Sequence, residues 1–149
     1  MNCERFLKDN LIKKQNPDFN QISHQLQRSL KDLKTAESNL NIDLTWALAI
    51  AYHAMIRAGR ALMYSKGYLP TAKNSHKTVV EFTNLVLGHE YDALVGQFSR
   101  LRRRRHDFIY DSINHTTSSE AKSSLETAKA LIGRIIELIK QENPERDLF

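Results

Sequence analysis

The chain has 149 residues, 41% of them hydrophobic and 26% charged, with a formal net charge of +5. This is the size of one domain able to bury a real core, and the composition excludes a disordered or fibrous chain, while the basic balance permits nucleic-acid binding without establishing it. No apolar run approaches the roughly 18 residues of a membrane span, the opening Met-Asn-Cys-Glu-Arg-Phe lacks a signal-peptide layout, and a lone cysteine, Cys3, excludes an internal disulfide and a thiolate metal cluster, so a cytoplasmic location is expected.

Five glycines and three prolines punctuate the chain, and the apolar spacing is helical nearly throughout. The expectation is an all-α protein, a single domain over 1–149, with an N-terminal helix at 2–14 and a main bundle over about 17–142. The first helix carries Cys3, Phe6, Leu7 and Leu11 on one side and stops at Asn16-Pro17. Asn16 is read as the cap of a second helix with Pro17 at its first position. Phe19, Ile22, Leu26, Leu30 and Leu33 then follow at three- and four-residue steps, ending near Asn39 to Asn41; His24, among glutamines, is read as exposed. Asp43 caps a third helix, Leu44 to Lys66, which Gly67 closes. Its broad apolar face (Leu48, Ala51, Tyr52, Met55, Ile56, Ala58, Leu62, Met63), and Gly59 for close approach of a neighbour, mark it as the central helix of a bundle. Trp46, His53, Arg57, Arg60 and Tyr64 share its other side. They read either as amphipathic side chains laid along a surface or, through Arg57 and Arg60, as part of a basic cleft.

Gly67 to Pro70 reads as a turn, followed by a fourth helix from Asn74 to Leu87, whose His76 is taken as a local structural contact. The fifth helix, His89 to Ser112, carries the chemistry. Tyr91, Leu94, Phe98, Leu101, Phe108 and Ile109 form one apolar stripe, and Arg105 falls in its middle. A guanidinium there costs several kcal/mol in desolvation unless something pairs with it. Arg102, His106 and Tyr110 run along the edge of the stripe at i, i+4 and i+8, while Arg103 and Arg104 fall on the flanks as a solvated basic face. Thr117-Ser118-Ser119-Glu120 has the spacing of a capping box for a sixth helix with Leu125, Ala128, Ile132, Ile135 and Ile139 buried. That helix ends at Asn143-Pro144, and the tail from Glu145 to Phe149 is read as frayed. There is no Gly-rich phosphate loop, His-Glu-x-x-His, Cys-x-x-Cys or Gly-x-Ser-x-Gly, and the six histidines are scattered, so neither metal nor cofactor is expected.

Ala51-Tyr52-His53-Ala54-Met55 with Ala58-Gly59-Arg60-Ala61-Leu62, then Gly67-Tyr68-Leu69-Pro70 and His76, then Leu101, Arg105 and Tyr110, together resemble motifs of the HEPN family (higher eukaryotes and prokaryotes nucleotide-binding). The likeness runs from about Ile22 to Ile139. It implies an antiparallel four-helix-bundle core with short extra helices, a homodimer, and RNA or a nucleotide as ligand. Many members are metal-independent endoribonucleases, often toxins whose antitoxin is a small nucleotidyltransferase. In them an Arg holds the scissile phosphate and a His, separated from it by four to six residues, helps activate the ribose 2′-hydroxyl.

In this chain Tyr110 stands where that His belongs if Arg105 is the motif arginine. A phenol with an unperturbed pKa of about 10 is a poor base at neutral pH, so this register implies phosphate binding with weak or no cleavage. Arg100 with His106 also satisfies the spacing, but Arg100 falls on the polar side of the helix. The resemblance thus points to Arg105, His106 and Tyr110 for catalysis and to Arg102 and Arg105 for phosphate binding, and the basic-cleft reading of the third helix adds Arg57 and Arg60 as phosphate ligands. The alternatives are a non-catalytic partner subunit of a nucleotidyltransferase, and a purely structural helical dimer in which Arg105 pairs with Glu90 or Asp92 of a second copy.

Overall fold

In the computed structural model the chain is described over residues 2–110 and 115–149, without the side chains of His106, Phe108, Ile109 and Tyr110. The order of elements is α1 (Glu4–Lys8), β1 (Ile12–Lys14), α2 (Phe19–Asn39), α3 (Leu44–Ser65), β2 (Tyr68–Pro70), α4 (Ser75–Leu87), a 3-10 turn (His89–Tyr91), α5 (Asp92–Tyr110) and α6 (Ser118–Glu142). The fold is the mostly helical one expected. α3 is central to it, packing against α2, α4, α5 and α6. Leu48, Met55, Leu62 and Met63 of α3 are fully buried, against Ile22 and Leu26 of α2, Phe82 of α4, Phe98 of α5 and Leu131, Ile132, Ile135 and Ile139 of α6. Among the described residues no helix is long and apolar enough to cross a membrane.

The caps of α3 and α6 follow the sequence reading: Asp43 accepts from the Trp46 N–H, and Thr117 from that of Glu120. Gly59 admits α4 so closely that a Cβ there would stand 2.5 Å from Val79 Cγ1.

The N-terminal part departs from expectation. The 2–14 helix is five residues of α1 followed by a strand. Asn10 adopts the left-handed region at φ 57°, while Leu11 N–H reaches Phe6 O at 2.8 Å and Asn10 N–H reaches Leu7 O at 3.1 Å. That is a Schellman closure, and asparagine tolerates its left-handed position. The chain leaves extended, and β1 pairs antiparallel with β2, Ile12 opposite Pro70 and Lys14 opposite Tyr68. Gly67 to Pro70 is therefore a glycine turn (φ 91° at Gly67) running into a strand. The pairing continues through Gln15 N–H to Gly67 O, which holds Asn16-Pro17 outside the next helix; Asp18 caps α2 instead, accepting from Asn20 and Gln21. The fifth helix begins as the 3-10 turn, and its expected end at Ser112 lies outside the described residues. The tail is not frayed: Leu148 is buried, its carbonyl accepts from the Ser23 hydroxyl at 2.7 Å, and Arg146 lies over the Phe19 ring.

Candidate functional site

Three helices, α2, α4 and α5, converge on one side of α3. Tyr52, His53, Arg57 and Arg60 follow its flank at helical spacing, α2 brings Gln25, Arg28 and Asp32, the first turn of α4 brings His76, and α5 brings Arg105. They line two adjoining cavities of about 550 and about 430 Å³ that share His53, Arg57 and His76. Trp46, Ala49, Ile50, Tyr52 and Arg105 complete the larger; Arg60, Tyr64 and Leu69 belong to the smaller.

Arg57, expected as a phosphate ligand, is in the cleft but already engaged. Its Nε donates to Asp32 Oδ2 at 3.2 Å and its Nη1 to Gln25 Oε1 at 2.7 Å, while Nη2 stands 3.4 Å from His53 Nε2. Arg28 takes the other oxygen of Asp32 at 3.2 Å. Asp32 is buried and is the one carboxylate among the described lining residues, so its charge is spent on two arginines of the cleft. This network orients Arg57 and binds α2 to α3.

Arg105 is half-buried on the α5 stripe beside the buried Phe98 and Leu101, as its position in the sequence implies. Among the described residues it has no ion pair or hydrogen bond, so its fork is open to the larger cavity. Arg60 is exposed at the smaller cavity. Arg102, half-buried one turn before Arg105, lines neither cavity but adds its field to Tyr52 and His76. The side chains of His106 and Tyr110, assigned to catalysis by the resemblance, lie outside the described residues. The same holds for Phe108 and Ile109 of the stripe.

One expectation for α5 is overturned. Arg104 is not part of a solvated face: its Nε donates to Glu120 Oε1 at 2.7 Å, its Nη2 donates to Glu120 Oε2 at 3.2 Å, and Nη1 lies 3.5 Å from Asp107. A bidentate pair with α6 has taken it out of water. Arg103 is exposed, as expected, and donates to the Ser99 hydroxyl.

Sequence reasoning missed the center of the cleft. Tyr52 is buried in the core, as expected, and the structural contact His76 makes is with it: the Tyr52 hydroxyl meets His76 Nδ1 at 2.8 Å, with the rings 5.7 Å apart, a pairing across two helices that local spacing does not report. Burial pushes the Tyr52 phenol well above its ordinary pKa, so it stays protonated. Burial lowers the His76 pKa, and the positive charges of Arg105, Arg60 and Arg102, together with His53 when that ring is protonated, lower it further. His53 is lowered likewise, by desolvation first and then by Arg57. At neutral pH the cleft therefore presents cations from arginine alone, beside two neutral imidazoles and a neutral phenol. The available signal was a phenol on a core-facing position, which needs a hydrogen-bond partner, and a histidine following the Gly-x-x-Pro turn.

The family model for the HEPN domain matches residues 22–139. The chain belongs to the HEPN domain family, one related in general to nucleotides and RNA. All the cleft residues named from α2 to α5 lie within that span, and the α1–β1 segment lies outside it. No curated protein matches the chain.

Proposed function

We propose that the cleft binds the phosphates of RNA or of a nucleotide, with Arg105 as its principal anchor and Arg60 and Arg102 reinforcing the positive field. The observation that carries this reading is the half-buried guanidinium of Arg105, which opens onto a cavity whose lining carboxylate, Asp32, is committed to Arg28 and Arg57. A planar fork with no carboxylate partner among the described residues suits an anion that enters with two oxygens. Trp46, 59% exposed at the same cavity, offers a ring face on which an unpaired base can stack.

Trp46 is the only tryptophan of the chain, so its fluorescence reports the binding. A single-stranded oligoribonucleotide at low salt is expected to quench it, and Arg105→Ala to weaken the affinity by about tenfold or more, the worth of one charge-assisted contact. Arg103→Ala, on the exposed flank, serves as the control and is expected to bind like the wild type. An absence of binding, or equal losses in both variants, would count against the reading. The finer roles rest on the resemblance: a homodimer, checked by sedimentation, and a toxin held by a nucleotidyltransferase partner, checked by growth arrest on expression that Arg105→Ala relieves.

A further inference from the structure

We infer that the smaller cavity is a nucleobase pocket selective for guanine, with Arg60 as the residue that reads the base; this rests on the phosphate-binding reading above and adds to it a choice of base. The cavity, of about 430 Å³, joins the larger one through His53, Arg57 and His76, so a strand gripped by Arg105 can extend a neighbouring nucleotide into it. Much of its lining is apolar. Ile56 and Ala61 of α3 are buried, Leu69 of β2 and the ring of Tyr64 are half-buried, and Leu69 is fixed by the pairing of β2 with β1, where it lies opposite Lys13. A flat heterocycle gains from covering such a lining, whereas a phosphate would lose hydration against it.

The polar groups of the cavity select the heterocycle. Gln25 Oε1 accepts from Arg57 Nη1 at 2.7 Å, and because a guanidinium only donates, the Gln25 amide must keep its oxygen on Arg57 and turn its NH2 group away. Among the described residues the lining holds no carboxylate, and Arg60 has neither a hydrogen bond nor an ion pair. The groups fixed or charged at this cavity are therefore donors, and they call for acceptors. On its Hoogsteen edge guanine alone sets two acceptors side by side, N7 and O6, at the spacing of a guanidinium fork; adenine puts the N6 amino group, a donor, where O6 would be. Cytosine offers O2 and N3 together, but its single ring covers less of the apolar lining. Arg60 and Tyr64 are four residues apart on α3 and share a face, so one base can lie against the Tyr64 ring and present its edge to the Arg60 fork.

The test uses the full chain and single-stranded oligouridylates that carry one central guanine, adenine or cytosine, with affinity read from Trp46 fluorescence at low salt. The guanine strand is expected to bind about tenfold more tightly than the adenine strand, the worth of one bidentate base contact. Hypoxanthine, which keeps N7 and O6, is expected to match guanine, and 7-deazaguanine, which lacks N7, to fall toward adenine. Arg60 is exposed, so Arg60→Ala leaves the core intact. It is expected to bring the guanine-to-adenine ratio close to one while still binding the adenine strand, which also shows that it folds. Wild type that binds all the strands equally, or prefers adenine or cytosine, overturns the inference while the phosphate-binding reading stands. So does Arg60→Ala that weakens the guanine and adenine strands by the same factor, since Arg60 would then act only as a charge, and so does hypoxanthine that binds like adenine. Wild type that binds none of the strands removes both.

Discussion

Arg104 and Arg105 are neighbours on α5, and the rotation of about 100° between successive helical residues gives them different roles. Arg104 closes on Glu120 through two of its nitrogens, joining α5 to the first turn of α6. Hydrogen bonding by Arg104 comes first among the causes that hold the Glu120 carboxyl below its ordinary range, with the Thr117 backbone N–H adding to it. A carboxyl lowered in the folded state contributes stability that is present above the unfolded value, about 4.5, and is lost as pH falls through the lowered one. Glu120→Gln is therefore expected to cost about 1–2 kcal/mol at pH 7 and to melt closer to the wild type at pH 3, as thermal denaturation at the two pH values would show. Arg105, by contrast, keeps its charge for the cleft. Its exceptional position was legible because periodicity places it among Phe98, Leu101 and the rest of the stripe. The engagement of Arg104 was not, because Glu120 lies beyond the connection to another helix, and no local spacing reports a pair formed across it. The same reason hides the Tyr52–His76 contact, whose members sit on different helices.

At the level of elements, the caps of α3 and α6 and the long amphipathic helices follow from local chemistry, as Asp43, Thr117 and the stripe of α6 show. The N-terminal segment did not. Cys3, Phe6, Leu7 and Leu11 fit a helical face, but the left-handed Asn10 and the pairing of β1 with β2 outweigh that pattern, and strands of three residues are too short for alternation to declare them. The meeting of α3 with α4 determines where His76 stands relative to Tyr52, and Gly59 sets its distance. A Cβ there would press on Val79 Cγ1 at 2.5 Å and Thr83 Oγ1 at 3.1 Å. Gly59→Ala gains about 1 kcal/mol of helix propensity but overpacks a buried contact at a cost of about 1–3 kcal/mol. The expected net effect is a melting temperature lower by a few degrees, with RNA affinity reduced as α4 is pushed away; a variant more stable than the wild type would show that the two helices have room to spare.

The whole molecule concentrates its excess positive charge. A net +5 spread evenly would steer anions only weakly, yet Arg28, Arg57, Arg60 and Arg105 line the joined cavities with Asp32 as their one carboxylate among the described residues. Single-stranded RNA bound through phosphates releases counterions, so log affinity falls with log salt by about 0.7 per phosphate contact. The most direct measurement of whether this cleft is a phosphate site is therefore the salt dependence of oligoribonucleotide binding by wild type and Arg105→Ala. The account expects a clear negative slope in the wild type and a slope shallower by about 0.7 in the variant, together with the weaker affinity. Equal slopes in the two proteins, or wild-type binding that is indifferent to salt, would contradict it.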